Sequence, residues 1–374
     1  MPYEQPTVRS AAIIAMHLID IADAIDLSNV ELLWDQQRPS TSVRSKLGST
    51  PPKAVAFGVP PVLLKLDPLE LLLRGQMYQA DVTARLYDFG AVAFSVRIPV
   101  ASCNWGAFSQ RVNAVDALLG PGADSLIWGQ LLQQVRAALL PALSKPTTAS
   151  LHEDYLLGIV HAFEETVPAN TMHEQIDLVP LLSGEQRTLS EQARRDLLQH
   201  RFSYYLDDLV VLTWDRAFIY EPRGDSDVAD ILEVANAQLL EMRFYDELLD
   251  AELPRMYDMV EAAHHAGNPL ASRRFADLAR KLYTLVAEVT EITEKVDNAL
   301  QVTEDVYLAR VYAAALDLFR VSRVSDAVDR KLAIIRDTYA ALYEEASGKR
   351  AELLELAIIV LIVVEIVIAI LRHA

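Results

Sequence analysis

From Leu356 to Leu371 the chain reads LAIIVLIVVEIVIAIL, an almost unbroken apolar run followed only by Arg372, His373 and Ala374. No other segment restricts the choice of structure so far. Counted from Leu354 the run is 18 residues long, about 27 Å as a helix. That approaches the hydrocarbon thickness of a bilayer, roughly 30 Å, and exceeds the length of an ordinary strand. A long helical pattern leads into it with no turn signal after Gly348. The run is therefore expected to form one C-terminal transmembrane helix, with Leu354, Leu356, Ile359, Leu361, Val364, Ile366, Ile370 and Leu371 meeting membrane lipid. Lys349 and Arg350 before it and Arg372 after it favour a cytoplasmic N-terminal side. The expectation is a single-pass membrane protein with a tail anchor and a cytoplasmic body.

One acid interrupts the run. An ionised Glu365 at mid-bilayer costs roughly 2.5–3.5 kcal/mol. Four readings stand open: the carboxyl is protonated or reaches the interface, it faces the same helix of a second copy, it belongs to an ion or substrate path, or the tail is a core helix of a soluble assembly.

The rest of the chain bounds the function by exclusion. Its 374 residues suit about two domains, and 52% hydrophobic residues are ample for a packed core. A formal net charge of -18 repels phosphate, which argues against sequence-independent nucleic-acid binding. Cys103 is the single cysteine, so intramolecular disulfides and thiolate clusters are excluded. The apolar stretch Ala11–Ile19 is interrupted by His17 and stopped by Asp20, which does not fit a signal peptide.

Residues 1–225 read as a mixed α and β domain. Period-two alternation on both sides of Tyr87-Asp88-Phe89-Gly90 predicts an antiparallel hairpin within Met77–Pro99. Helices are expected from Trp105 to Leu119, ending at Gly120-Pro121-Gly122, and from Leu126 to Leu143. Residues 145–154 read as a loop with His152, Glu153 and Asp154 solvated, followed by a strand from Tyr155 to Phe163. Thr188-x-x-Glu191 has the form of a capping box, and Asp208–Tyr220 of a second hairpin.

Residues 226–350 read as a helical hairpin or bundle, and residues 351–374 as the anchor. The first helix is expected over Asp227–His265, with Pro254 inside it. Leu278, Leu282, Leu285, Val289, Ile292 and Val296 form one seam at alternating spacings of four and three, and Val328, Leu332, Ile335, Tyr339 and Leu342 form another. The seams fit packing within one chain and packing between chains equally. The overall class is α+β, with helices added at the C-terminal end.

Catalytic signatures are absent from the sequence. It contains no phosphate-cradling glycine pattern and no nucleophile elbow. The histidines show no metal-ligand spacing, so no cofactor or metal is expected. Arg243 and Glu247, at i and i+4, read as a solvated pair.

Three stretches carry a family resemblance: RLYDFGAVAFSVRIP (Arg85–Pro99), QLLEMRFYDELLD (Gln238–Asp250) and LLELAIIVLIVVEIVIAIL (Leu353–Leu371). Their order, a hairpin with an aromatic-Asp-Gly turn, helices with an aromatic-Asp element and a terminal apolar helix bearing an acid, resembles the required-for-meiotic-nuclear-division family, a domain of unknown function. The chain looks like a distant prokaryotic relative of it. That resemblance implies a membrane-anchored, non-enzymatic organiser or adaptor, and it supplies no catalytic residues. The function expected is a membrane-tethered scaffold that self-associates through its helices and presents the α+β domain to a protein partner. The alternatives are a membrane-bound enzyme with a pocket in that domain and a soluble homo-oligomer that buries the tail.

Overall fold

The computed structural model describes residues 6–38, 42–44, 59–123, 126–147, 151–165, 167–185, 187–224, 227–265, 277, 280, 283–284, 286–287, 290, 305–341, 344, 358–359 and 361–362. They belong to two compact units, Met1–Phe244 with Lys295–Ser322, and Tyr245–Glu294 with Arg323–Ala374.

The first unit is built on β1 (Thr7–Asp20), the stretch whose apolar run stops at Asp20. Its residues are buried from Ala11 to Asp20 without alternation, the pattern of a strand covered on both faces. After it come β2 (Ala22–Ile25), α1 (Leu27–Gln37), β3 (Ser42–Arg44), β4 (Val62–Lys65), β5 (Leu69–Leu73), β6 (Gln76–Leu86), β7 (Ala91–Val100), β8 (Cys103–Asn104), α2 (Trp105–Leu119), α3 (Ile127–Leu139), β9 (Leu143–Pro146) and β10 (His152–Phe163). There follow α4 (Met172–Gln175), α5 (Val179–Ser183), α6 (Glu191–Leu197), β11 (Arg201–Phe202), β12 (Leu209–Leu212), β13 (Arg216–Tyr220), α7 (Val228–His265) and α8 (Val306–Leu318). A last helix, α9, covers residues 321–341.

Among the described residues the main sheet has 11 strands, in the order β11-β12-β13-β10-β1-β7-β6-β4-β3, with β5 on β6 and β8 on β1. Its ladders are antiparallel except for β10 and β13, which run parallel. The sequence-expected hairpin is β6–β7, in register from Asp81↔Arg97 to Leu86↔Val92. The second expected hairpin is β12–β13.

Alternate residues of the sheet feed two layers. On one face Ile13, Ala15, Val82, Phe94 and Val96 join Trp105, Phe108 and Val112 of α2, Leu131 and Val135 of α3, and Trp34 of α1 in one core. Gly158 lets α2 and α5 approach β10: a Cβ there would lie 3.3 Å from Leu181 and 3.5 Å from Val112. On the other face Arg85, Tyr87 and Tyr155 meet α7 and the end of α8. Helices on both faces of one sheet give the mixed α+β class that the sequence leads one to expect.

Several sequence expectations need correction. Residues 145–154 are not one solvated loop: 143–146 form β9 and His152, Glu153 and Asp154 open β10, in register with β1. Helix α6 is capped by Ser190, whose hydroxyl accepts from the Ala193 N–H, and not by Thr188.

The larger correction concerns the tail. Among the described residues no helix is long and apolar enough to cross a membrane. The long helix α7, at 38 residues, carries Asp230, Glu233, Glu241, Arg243 and further charges, and α9 carries Arg323, Arg330, Lys331 and Arg336. In the apolar run, Ile358, Ile359, Leu361 and Ile362 are described, and all are helical. A span needs about 20 consecutive apolar residues, so the expected C-terminal transmembrane helix, the tail anchor and the single-pass membrane location are not supported. The membrane-lipid contact inferred from them loses its basis. Leu354, Leu356, Val364, Glu365, Ile366, Ile370 and Leu371 lie outside the described residues.

The turn between β6 and β7 sets the connection to β1. Gly90 has φ +110°, and a Cβ on it would fall 1.7 Å from the Ala22 carbonyl oxygen. Gly75, at φ +82° in the β5–β6 turn, has open space around it. Gly90→Ala should therefore destabilise the fold by more than about 3 kcal/mol, and Gly75→Ala by about 1 kcal/mol. Urea denaturation of both variants checks the ranking, and equal losses would contradict it.

Candidate functional site

Helix α7 meets the sheet through charges. Arg85 is buried on β6 and points to the face that α7 covers. Its Nη2 donates to Asp230 Oδ1 at 2.7 Å, and its Nη1 lies 3.0 Å from Glu233 Oε1 as an ion pair outside hydrogen-bond geometry. The Tyr87 hydroxyl donates to the same Glu233 oxygen at 2.7 Å. Burial pushes the Glu233 carboxyl up and the Arg85 charge opposes that. Burial also disfavours the Arg85 cation, but Glu233 and Asp230 outweigh it and hold the guanidinium protonated. Farther along the helix, Arg243 pairs with Glu153 of β10. The i, i+4 pair expected between Arg243 and Glu247 is thereby replaced by a helix–sheet contact.

A second cluster lies on the opposite face. His17 Nδ1 is 2.6 Å from Asp154 Oδ1, its partner across the β1–β10 register, and His152 Nε2 is 3.5 Å from Asp154 Oδ2. The His17 ring stacks on Trp128 of α3, with centroids 4.9 Å apart and planes 9° apart. A carboxylate-oriented imidazole is the arrangement general bases use, but the cluster is packed between an indole and a second imidazole. Nearby, Asp20 is buried at the end of β1 and accepts from the Thr147 hydroxyl at 3.1 Å. Burial lifts its carboxyl to about 7, further raised by Asp23 and opposed by the Thr147 bond and by Arg136.

A third node closes the sheet near β13. The Arg216 guanidinium donates to Asn113 Oδ1 at 2.7 Å, to the Leu181 carbonyl at 3.0 Å and to Asp116 Oδ2 at 2.6 Å. It passes so close to Gly184 that a Cβ there would lie 2.6 Å from Nη2. Asn113 also lines a groove of about 760 Å³ along α2, with Arg74, Ser109, Gln110 and Glu185. Among the described residues no group of three or more His, Cys, Asp or Glu side chains is arranged to hold a metal.

The seam residues of the sequence analysis fall into two groups. Leu278, Leu282, Leu285, Val289, Ile292, Val296 and Leu342 lie outside the described residues. Val328, Leu332 and Ile335 are buried on one side of α9 and Tyr339 is half-buried, its ring 5.9 Å from that of Tyr283. On the same helix Lys331 Nζ lies 2.6 Å from both Asp246 and Asp250 of α7. Of the tail positions, Ile359 and Leu361 are 58% and 67% exposed. The sequence reading passed over the buried polar groups His17, Asp20, Arg85 and Arg216. The available signal was a polar residue inside a run that is otherwise buried, as at His17, because such a group needs a partner.

The residues that carry these nodes on the sheet side, from His17 to Arg216, lie within residues 10–227, which match a family model described as "Uncharacterized protein MJ0711, N-terminal domain". That is more than half of the chain. The chain belongs to this family. It is similar to the uncharacterized protein MJ0711 of Methanocaldococcus jannaschii, 26% identical over 193 residues, which are 51% of this chain and 58% of that protein. The match thus spans somewhat more than half the length of the relative. No solved structure matches. The required-for-meiotic-nuclear-division name is not confirmed. The MJ0711 N-terminal domain family shares with that expectation its status as a domain of unknown function. The family match ends one residue before α7, so Asp230 and Glu233 lie beyond it.

Two stability predictions follow from these nodes. Arg85→Met leaves Glu233 buried without its cation and should cost about 3–5 kcal/mol. Adding Glu233→Leu should recover part of that loss, which a double-mutant cycle in urea measures; strictly additive losses would argue against coupling. Asp20 acts through pH. Its folded carboxyl, at about 7, holds its proton better than the unfolded one at 3.8, so its stabilising contribution is full below about pH 4 and is lost as pH rises toward 7. Asp20→Asn should become progressively more stable than the native chain between pH 4 and pH 8, by about 1.4 kcal/mol for each unit of the shift. Urea midpoints at the two pH values test the sign.

Proposed function

We propose that this chain is a self-associating binding module, in which the helical C-terminal part joins copies and the α+β unit is displayed to a protein partner. The observation that carries this reading is the exposed aliphatic stripe of the second unit. Ile358, Ile359, Leu361 and Ile362 are helical and 50–67% exposed. Ile358, Leu361 and Ile362 stand at i, i+3 and i+4, one face of a helix. Contiguous exposed aliphatic side chains of this kind mark interaction surfaces. A second copy is the favoured occupant because a two-fold contact needs only one self-complementary patch, and an uncharged aliphatic stripe avoids the repulsion that a net charge of -18 imposes elsewhere.

The α+β unit supports the display role by its construction. Its buried and half-buried charges serve helix–sheet attachment: Arg85 holds Asp230 and Glu233, Arg243 holds Glu153, and Arg216 ties α2 to α5. Cys103 is half-buried, and burial pushes its thiol up, away from nucleophilic use.

Light scattering on the full chain at tens of micromolar is expected to give a defined multiple of the protomer mass. Ile358→Ser combined with Leu361→Ser should return it to the monomer while leaving the circular dichroism of the folded units intact. A native chain that is monomeric, or a variant that keeps the same assembly, would sink the proposal.

A further inference from the structure

A cavity of about 290 Å³ lies within the first unit, between α6, β11 and the loop that leads into β12. The volume corresponds to roughly ten water-sized sites, at the small end of ligand pockets. Its walls are mainly apolar, with Ala169, Ile176, Leu178, Leu198, Leu206 and Leu209, and Asp177, Ser203 and Tyr205 add polar groups. Two guanidinium groups, Arg194 and Arg201, line it as well. They are not equivalent. Arg194 is neutralised by Asp177, with Nη2–Oδ1 at 3.1 Å and Nη1–Oδ2 at 3.4 Å, and Asp177 Oδ1 also accepts from the Val179 N–H at 3.1 Å. Arg201 has no ion pair among the described residues. The cavity is thus a mainly apolar chamber with an ion pair, Arg194–Asp177, and one solvent-exposed guanidinium, Arg201, at its wall.

The loop at the mouth is held in place before anything binds. Asp208 Oδ1 accepts from the N–H groups of Tyr204 and Tyr205, at 2.8 and 3.1 Å. The Leu206 carbonyl accepts from Ala169 N at 3.3 Å, and the Arg223 guanidinium sits 4.4 Å over the Tyr205 ring. This fixed loop nevertheless leaves Tyr205 48% and Leu206 89% exposed at the rim. Fixing two large apolar side chains in water has a cost that a bound hydrocarbon would offset.

We infer that this cavity binds a small amphiphilic carboxylate, with its hydrocarbon against Leu178, Leu198, Leu206 and Leu209 and its carboxylate on Arg201. The chamber admits on the order of ten non-hydrogen atoms, and a planar guanidinium is matched to a carboxylate by two parallel hydrogen bonds. A cationic head group would be repelled by Arg201, and a neutral one would leave that exposed guanidinium to water and gain no charge-assisted bond from it.

Calorimetric titration of the full chain with octanoate, octan-1-ol and octylamine tests the assignment. Octanoate is expected to bind saturably, about tenfold to a hundredfold tighter than octan-1-ol, with octylamine weakest. Arg201→Gln should remove the preference for octanoate and leave octan-1-ol unchanged, and Leu198→Trp, which fills the chamber from a half-buried position, should abolish both. Urea midpoints of the two variants close to that of the native chain would establish that they fold. The site is overturned if none of the three probes binds saturably. The role of Arg201 is overturned if octan-1-ol binds as tightly as octanoate, or if the preference survives Arg201→Gln.

Discussion

A strand covered on both faces must find a partner for every polar group it carries, and that constraint on β1 shapes the first unit. Its ladder partners are β7 on one side and β10 on the other, so no backbone group of its central residues faces water. The side chains obey the same rule. His17 is answered by Asp154 from the neighbouring strand and Asp20 by Thr147 just after β9. The helices on either face then complete the burial that the strand demands.

Apolar packing between a helix and a sheet is non-directional, and volume-conserving slips cost little. The helix α7 escapes that ambiguity because fixed charges bracket its contact with the sheet. Asp230 and Glu233 dock on Arg85 of β6, and Arg243 docks on Glu153 of β10, three strands away in the sheet order. A shift by one turn would strand a buried guanidinium and a buried carboxylate together. The family match reaches the sheet side of this contact but not the helix side, so the attachment is a property of this whole chain and not of the matched domain alone.

What could be read from the sequence was local. The β6–β7 hairpin shows in its period-two alternation around an Asp/Gly turn, α2 in its stop at Gly120, and α7 in the helical pattern expected over Asp227–His265. The nodes were not legible, because their partners are distant along the chain: Tyr87 and Glu233 are separated by 146 residues and His17 and Asp154 by 137. The reading of 145–154 as a loop failed for the same reason, since three polar residues in a row look solvated until β1 is placed beside them. The tail was misread differently. Length and hydropathy measure how badly a segment needs to leave water, and they do not say what receives it.

The parallel pairing of β10 with β13 is unlike the other ladders of the sheet, which join antiparallel strands. A parallel pair cannot close through a tight turn and needs a long crossover, here residues 164–215. That crossover contains α5, α6, β11 and the wall residues from Ala169 to Leu209. The chamber is therefore complete only after β13 has docked on β10, a closure that spans less chain than the pairing of β1 with β10 but still costs the entropy of ordering the whole crossover. Whatever occupies the chamber is linked to that docking step, so occupancy raises the free energy needed to peel β13 away. Filling the cavity and keeping the sheet edge closed are one equilibrium.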